Sequence, residues 1–174
     1  MTTSSPSVQK DIFVDTNIWM YLFGNIGKTN NRLVKKYSYL FNNLRKSKAI
    51  FHTDVSVISE FVNRYLRIAY YIYCRNNGDC DFKKDYRKTS DYKNAWDSVC
   101  HIVNHQILSI AKPIDAHYDS LEMKTILKKG NFDRDFNDNH IVFLCKKKKL
   151  VLFTHDGDFK SAGINIISEN NIYS

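Results

Sequence analysis

No stretch of this 174-residue chain approaches the roughly 20 consecutive apolar residues that a bilayer-spanning helix requires. Residues 1–10 are polar, rich in Ser and Thr, and have no apolar h-region, so they do not read as a secretory signal. A disordered tail is the expectation there. The four cysteines, Cys74, Cys80, Cys100 and Cys145, form no Cys-x-x-Cys pair. That favours reduced thiols over a disulfide framework or a zinc site, and with it a cytoplasmic, membrane-free protein. There is no internal repeat, and no biased segment beyond the run Lys146 to Lys149. Acidic residues are the scarcer charge, 18 against 26 basic ones, for a net charge of +8. A basic balance suits a polyanionic partner, because neutralising phosphates releases counterions. It also means that carboxylates have to be gathered locally if the chain is to hold a divalent cation.

What remains is ordinary globular chemistry, 43% hydrophobic and 25% charged, in a length that fits one domain over residues 11–174. Asp11 to Val14 ends in an apolar run that reads as a buried strand, and Asp15-Thr16-Asn17 turns it into a helix through Ile18, Trp19, Leu22 and Phe23. Gly24, Asn25 and Gly27 mark a break. Leu33, Tyr37, Leu40, Phe41 and Leu44 recur at helical spacing. Ala49 to His52 is a second candidate strand. Asp54 or Ser56 is the N-cap expected for a helix whose apolar face runs from Ile58 to Ile72, with Glu60 in its first two turns. Residues 75–92 alternate Lys and Asp and read as an inserted loop or a solvated helix end, so an insertion is expected near 75–95. Helical periodicity returns from Trp96 to Leu108. Pro113 closes the run Leu108 to Ala111, and another helix is expected over Ala116 to Leu127, stopped by Lys128 to Asn131. Asp138 is expected to start the apolar helix that includes Ile141 to Cys145. Strands are expected at Leu150 to Phe153 and Ile164 to Ile167.

Apolar runs separated by helices imply a mostly parallel sheet with helices on both faces, and such sheets place their sites beyond the carboxyl ends of the strands. Asp15 and Asp156 each follow a predicted strand, while Glu60 and Asp138 lie near helix starts. All four can therefore converge at one edge. Gathered carboxylates repel one another unless a cation is present. Magnesium takes oxygen ligands, and a bound divalent ion lowers the pKa of water enough to attack a phosphodiester near neutral pH.

The ordered pieces Val14-Asp15-Thr16-Asn17, Ser56 to Phe61, Asp138 with its following helix, and Leu152 to Phe159 run along nearly the whole chain. In this order they resemble the PIN-domain family, which includes the VapC-type toxin ribonucleases. The resemblance implies a three-layer α/β/α fold, ligation of Mg2+ or Mn2+ by Asp15, Asp138 and Asp156, and Glu60 as a fourth acid. It also implies supporting roles for Thr16, Asn17 and Thr154. Asp158 either binds a metal-associated water or only caps the next turn. An RNA substrate, an antitoxin protein and a homodimer are the partners that the same resemblance suggests.

Each residue has a blander reading. Asp15 and Asp156 suit a helix cap and a turn, Glu60 a solvated helix position, and Asp135 competes with Asp138 as the ligand. Lys146, Lys147, Lys148 and Lys149 suit either a phosphate backbone or the negative end of a helix dipole. Tyr65, Tyr70, Tyr71 and Tyr73 are mostly core candidates, with stacking on single-stranded bases as the alternative. Asp133-x-Asp135-x-Asn137 imitates an EF-hand start, but Asp138 stands where glycine is needed and Leu144 where glutamate is needed. His101 and His105 have metal-ligand spacing without a third ligand. The expected function is a metal-dependent endoribonuclease, and the VapC-type resemblance implies the toxin of a toxin–antitoxin pair. A non-catalytic RNA- or protein-binding module is the alternative. A metal-dependent phosphatase is disfavoured because Asn17 breaks an Asp-x-Asp pattern.

Overall fold

The computed structural model describes residues 10–24, 31–115, 119–127 and 133–173. The expected tail therefore falls outside the described residues except at Lys10, as do Asn25 and Gly27 of the first break and the stop at 128–131.

Five strands form one sheet in the order β3-β2-β1-β4-β5. They are β1 (Asp11–Val14), β2 (Ile50–Thr53), β3 (Ala111–Pro113), β4 (Val151–Phe153) and β5 (Ile166–Ile167), and every pairing is parallel. The helices α1 (Thr16–Phe23), α2 (Asn31–Lys46), α3 (Val55–Asn77), α4 (Ser90–Ile102), α5 (Leu108–Ile110), α6 (Ser120–Ile126) and α7 (Phe136–Lys148) flank it. β1 is central and covered on both faces, which is why its residues read as a continuous apolar run: Ile12, Phe13 and Val14 are wholly buried. Phe41 of α2 lies 4.7 Å from Phe51 of β2, and Tyr37 lies 5.7 Å from Phe153 of β4, centroid to centroid, so α2 spans the two strands beside β1. α3 packs on α1 and α4, and α6 on α7.

β3 is a strand that the sequence presents only as an apolar run closed by a proline. Pro113 is tolerated because β3 is an edge strand, where a missing N–H costs little. The chain then leaves that edge and re-enters on the other side of β1. In open parallel sheets such a reversal opens a crevice at the carboxyl ends of the strands that flank it, here β1 and β4.

Two expectations are corrected. The segment 75–92 begins as the solvated end of α3, as one of the two readings has it, but beyond Gly78 it is not a simple loop. α3 runs on to Asn77 and ends at Gly78, whose φ of 89° suits glycine. The turns that follow pack Tyr86, fully buried, against Tyr70, Tyr73, Phe82 and Tyr92. Alternating Lys and Asp hid an aromatic cluster. This also removes Tyr70 and Tyr73 from any free stacking platform, and Tyr65 is buried in the core, whereas Tyr71 is exposed. The helix near 138 starts earlier than expected: Asp135 is its N-cap and accepts from the Asp138 N–H at 2.9 Å, so Asp138 is in the first turn rather than at the start.

Candidate functional site

Asp15 follows β1 directly, and its own N–H continues the ladder by donating to the Phe153 carbonyl at 3.0 Å. It is the N-cap of α1 as well as a site candidate, so the two readings of this residue coexist. Its Oδ1 accepts from the Thr16 N–H at 2.6 Å, and its Oδ2 accepts from Asn17 Nδ2 and Thr154 Oγ1, both at 2.6 Å. Asn17 donates also to Thr154 Oγ1 at 3.2 Å and accepts from the His155 N–H at 3.0 Å. Thr154 Oγ1 in turn accepts from the Asp156 N–H at 2.9 Å. One set of short polar contacts thus locks the tip of β1 to the tip of β4.

Glu60 comes from α3, one helix away. Its Oε2 accepts from Thr16 Oγ1 at 3.0 Å, and its Oε1 lies 3.5 Å from Arg64 on the next turn. Asp156 is held from below by two C-terminal contacts: Tyr173 Oη donates to its carbonyl, and Asn170 Nδ2 donates to the His155 carbonyl at 2.7 Å. Tyr37 Oη and His155 Nδ1 are hydrogen-bonded at 2.8 Å. The Asp156 carboxylate accepts from the Asp158 N–H at 3.0 Å, which makes a tight turn.

The electrostatics follow from this crowding. Burial pushes the Asp15 carboxyl up to about 6, with Glu60 and Asp156 adding to the rise against the pull of Thr154 and the Thr16 N–H. Burial likewise pushes Asp138 up to about 6, helped by Asp135, Asp156 and Asp158. Asp156 is therefore felt by both Asp15 and Asp138, although they come from elements more than a hundred residues apart. Among the described residues, no three His, Cys, Asp or Glu side chains already form a closed ligand cluster. The donor set still suits a hard divalent ion, which takes oxygen, keeps several waters and needs only one or two direct carboxylates.

The sequence missed the roles of the partners that hold this edge: Asp135, weighed there only as a rival ligand and found as the N-cap of α7, and Tyr37, Asn170 and Tyr173. Only the first left a signal, as an Asp three residues before Asp138 at a helix start. Asp158 is exposed, with its backbone tied to Asp156. Lys146, Lys147 and Lys148 occupy the last turn of α7 and Lys149 caps it, at the end opposite Asp138. Lys147 is paired with Glu122 at 2.6 Å. The rings of His101 and His105 are 4.7 Å apart. The sulfurs of Cys74 and Cys80 are 3.7 Å apart and both thiols are free.

The sequence model of the PIN domain matches residues 12–165. The chain belongs to the PIN family. Among solved structures, it is similar to Mycobacterium tuberculosis VapC20, described as a Sarcin-Ricin loop cleaving toxin, at 19% identity and a TM-score of 0.49, covering 88% of this chain and 95% of that one. It is also similar to FitAcB from Neisseria gonorrhoeae, at 15% identity and a TM-score of 0.50, covering 93% of this chain and 98% of that one. At 15% identity the likeness to FitAcB is one of fold alone. No curated protein matches significantly. The PIN assignment spans the β1 tip, Glu60, Asp138 and the β4 tip, so the acidic edge lies within the matched region.

Proposed function

We propose that this PIN domain is a divalent-metal-dependent endoribonuclease, and that Asp15, Asp138 and Asp156 hold the ion, Mg2+ or Mn2+, with Glu60 as the fourth acid. PIN domains are generally nucleases. The observation that carries the reading is the state of Asp15: a buried carboxylate whose donors, among the described residues, are all neutral and whose charged neighbours are acids. Such a group lacks a positive partner of its own, and buried charges ordinarily have one. A divalent ion bound there would supply positive charge for the phosphodiester and lower the pKa of an attacking water. The chain's own contribution is positional. Thr154 and Asn17 fix the Asp15 carboxylate, Thr16 orients Glu60, and the Asp158 turn fixes Asp156.

The direct test is cleavage of single-stranded RNA with Mg2+ or Mn2+. We expect products with 5′-phosphate ends, none in EDTA, and none from a folded Asp15→Asn variant. Unchanged cleavage by Asp15→Asn sinks the assignment. If calorimetry shows no divalent binding at millimolar metal, the domain is a non-catalytic binding module instead. A toxin role with an antitoxin partner rests on the VapC-type sequence resemblance. Growth arrest on expression in a bacterial host, relieved by Asp15→Asn, supports that role, and the absence of arrest counts against it.

A further inference from the structure

An open groove of about 720 Å³ runs from the acidic edge along the outer face of α3. Its polar lining is the α3 stripe from Ser56 through Glu60 and Arg64 to Arg67 and, from the first turn of α7, Asn137. The α3 members recur every three or four residues, so they form one stripe, and from Ser56 to Arg67 that stripe extends about 16 Å at 1.5 Å per residue. The stripe has a polarity. From Glu60 onward it leads from an acid to the guanidinium of Arg67.

Arg67, at the far end of the groove, meets the turns that follow α3. The Arg67 guanidinium carbon lies 4.0 Å from the centroid of the Phe82 ring, and that of Arg87 lies 5.3 Å from the same centroid and 5.9 Å from Tyr92. Phe82 is in turn fixed edge-on against Tyr70, 5.3 Å away, and beside the buried Tyr86. Two cations therefore share one ring. Among the described residues neither forms an ion pair with a carboxylate, unlike Arg64, which is committed to Glu60. A planar guanidinium resting on an aromatic face keeps its N–H fork free for an anion, and guanidinium geometry matches phosphate.

We infer that Arg67 and Arg87, seated on Phe82, form a phosphate-binding subsite for the RNA strand that leaves the acidic edge along α3. The inference rests on the nuclease reading for the identity of the strand. Its physical logic is charge placement. A polyanion is repelled by the clustered acids, so cations have to flank them without neutralising them, and a continuous groove has to join the two. RNA suits this better than an acidic protein segment because Arg67 lies about two turns along the same helix face from Glu60, with Arg87 beside it on the Phe82 ring.

The test is the anisotropy of a fluorescent single-stranded RNA of about 12 nucleotides, titrated in EDTA at several salt concentrations with the full chain and with Arg67→Gln/Arg87→Gln. Both side chains are at the surface, and circular dichroism confirms that the variant is folded. Loss of two phosphate contacts should weaken binding about tenfold or more and reduce the slope of log K against log salt by about 1.4. Phe82→Leu, which keeps both charges but removes their seat, should give a smaller loss in the same direction. Unchanged affinity and slope in the double variant overturn the subsite, and point to a protein partner for this surface. Metal-dependent cleavage separates the two proposals. If the full chain cleaves and the double variant binds and cleaves equally well, the subsite fails and the nuclease stands. If the arginines govern binding but no metal supports cleavage, the subsite stands and the nuclease fails.

Discussion

Asp15 and Asp54 are near twins in position and opposites in chemistry. Each follows a central strand of the parallel sheet, each caps the next helix, and each is buried, at 6% and 3% exposure. Burial raises Asp15 to about 6, because its hydrogen bonds do not outweigh the desolvation that Glu60 and Asp156 reinforce. Burial opposes the Asp54 anion as well, but His140, the Val57 N–H and Ser56 hold its carboxyl below the ordinary value. The decisive difference is one imidazole, His140 Nε2 against Asp54 Oδ2. Asp54 is complete within the fold. Asp15 has, among the described residues, only neutral donors. The same backbone situation thus yields a structural carboxylate and a functional candidate, and neighbours from distant elements decide which.

The contrast can be broken most forcefully at His140. His140→Gln leaves Asp54 buried without its basic partner, and loss of one member of a buried pair costs about 3–5 kcal/mol. Urea unfolding should show that loss, and a change under about 1 kcal/mol would mean that His140 is incidental. The second effect is in pH. The Asp15 folded pKa of about 6 exceeds the ordinary value of 3.8, so the folded state binds more protons between those values, and its stability in EDTA falls as pH rises through that window. The Asp15 contribution is up to about 3 kcal/mol, at 1.36 kcal/mol per pKa unit. Asp54 acts oppositely, but only at lower pH, because its pKa lies below 3.8. An Asp15→Asn variant should show a flatter stability profile from pH 4 to 7. A profile identical to that of the full chain would show that Asp15 is not perturbed. The smallest expected effect sharpens the comparison at Thr154, which is wholly buried and donates to Asp15. Thr154→Val should cost about 1–2 kcal/mol. It should also move the pH midpoint for divalent-ion binding upward, since the lost hydrogen bond favours the anion. A downward move would reverse the assigned role.

Asp15 and Asp156 were legible because an apolar run of strand length ends in an acid with a threonine close by, a local signal. Asp54 was legible as a cap for the same reason. Its partner was not: His140 lies 86 residues further on, in a helix whose sequence only advertises an apolar face. The start of α7 was read late because Phe136 stands alone among polar residues, so the apolar pattern begins one turn after the helix does. β3 has three residues and ends in proline, too little for periodicity to register. In the turns after α3, Phe82 and Tyr86 are four residues apart, but the lysines and aspartates between them dominate the composition. Sheet order was beyond local reading altogether, since it depends on which strand ends up beside β1.

That order has a consequence in time. β1 takes its right-hand neighbour from the far end of the chain, and the hydroxyl that clamps Asp15 belongs to a residue 139 positions later. At a synthesis rate of about 5–20 residues per second, Asp15 precedes Thr154 by roughly 7–28 s. For that interval a growing chain carries the first acid without the second strand tip. Synthesis thus sets an order of assembly: the acidic edge can close only once the β4 tip has followed the β1 tip out of the ribosome.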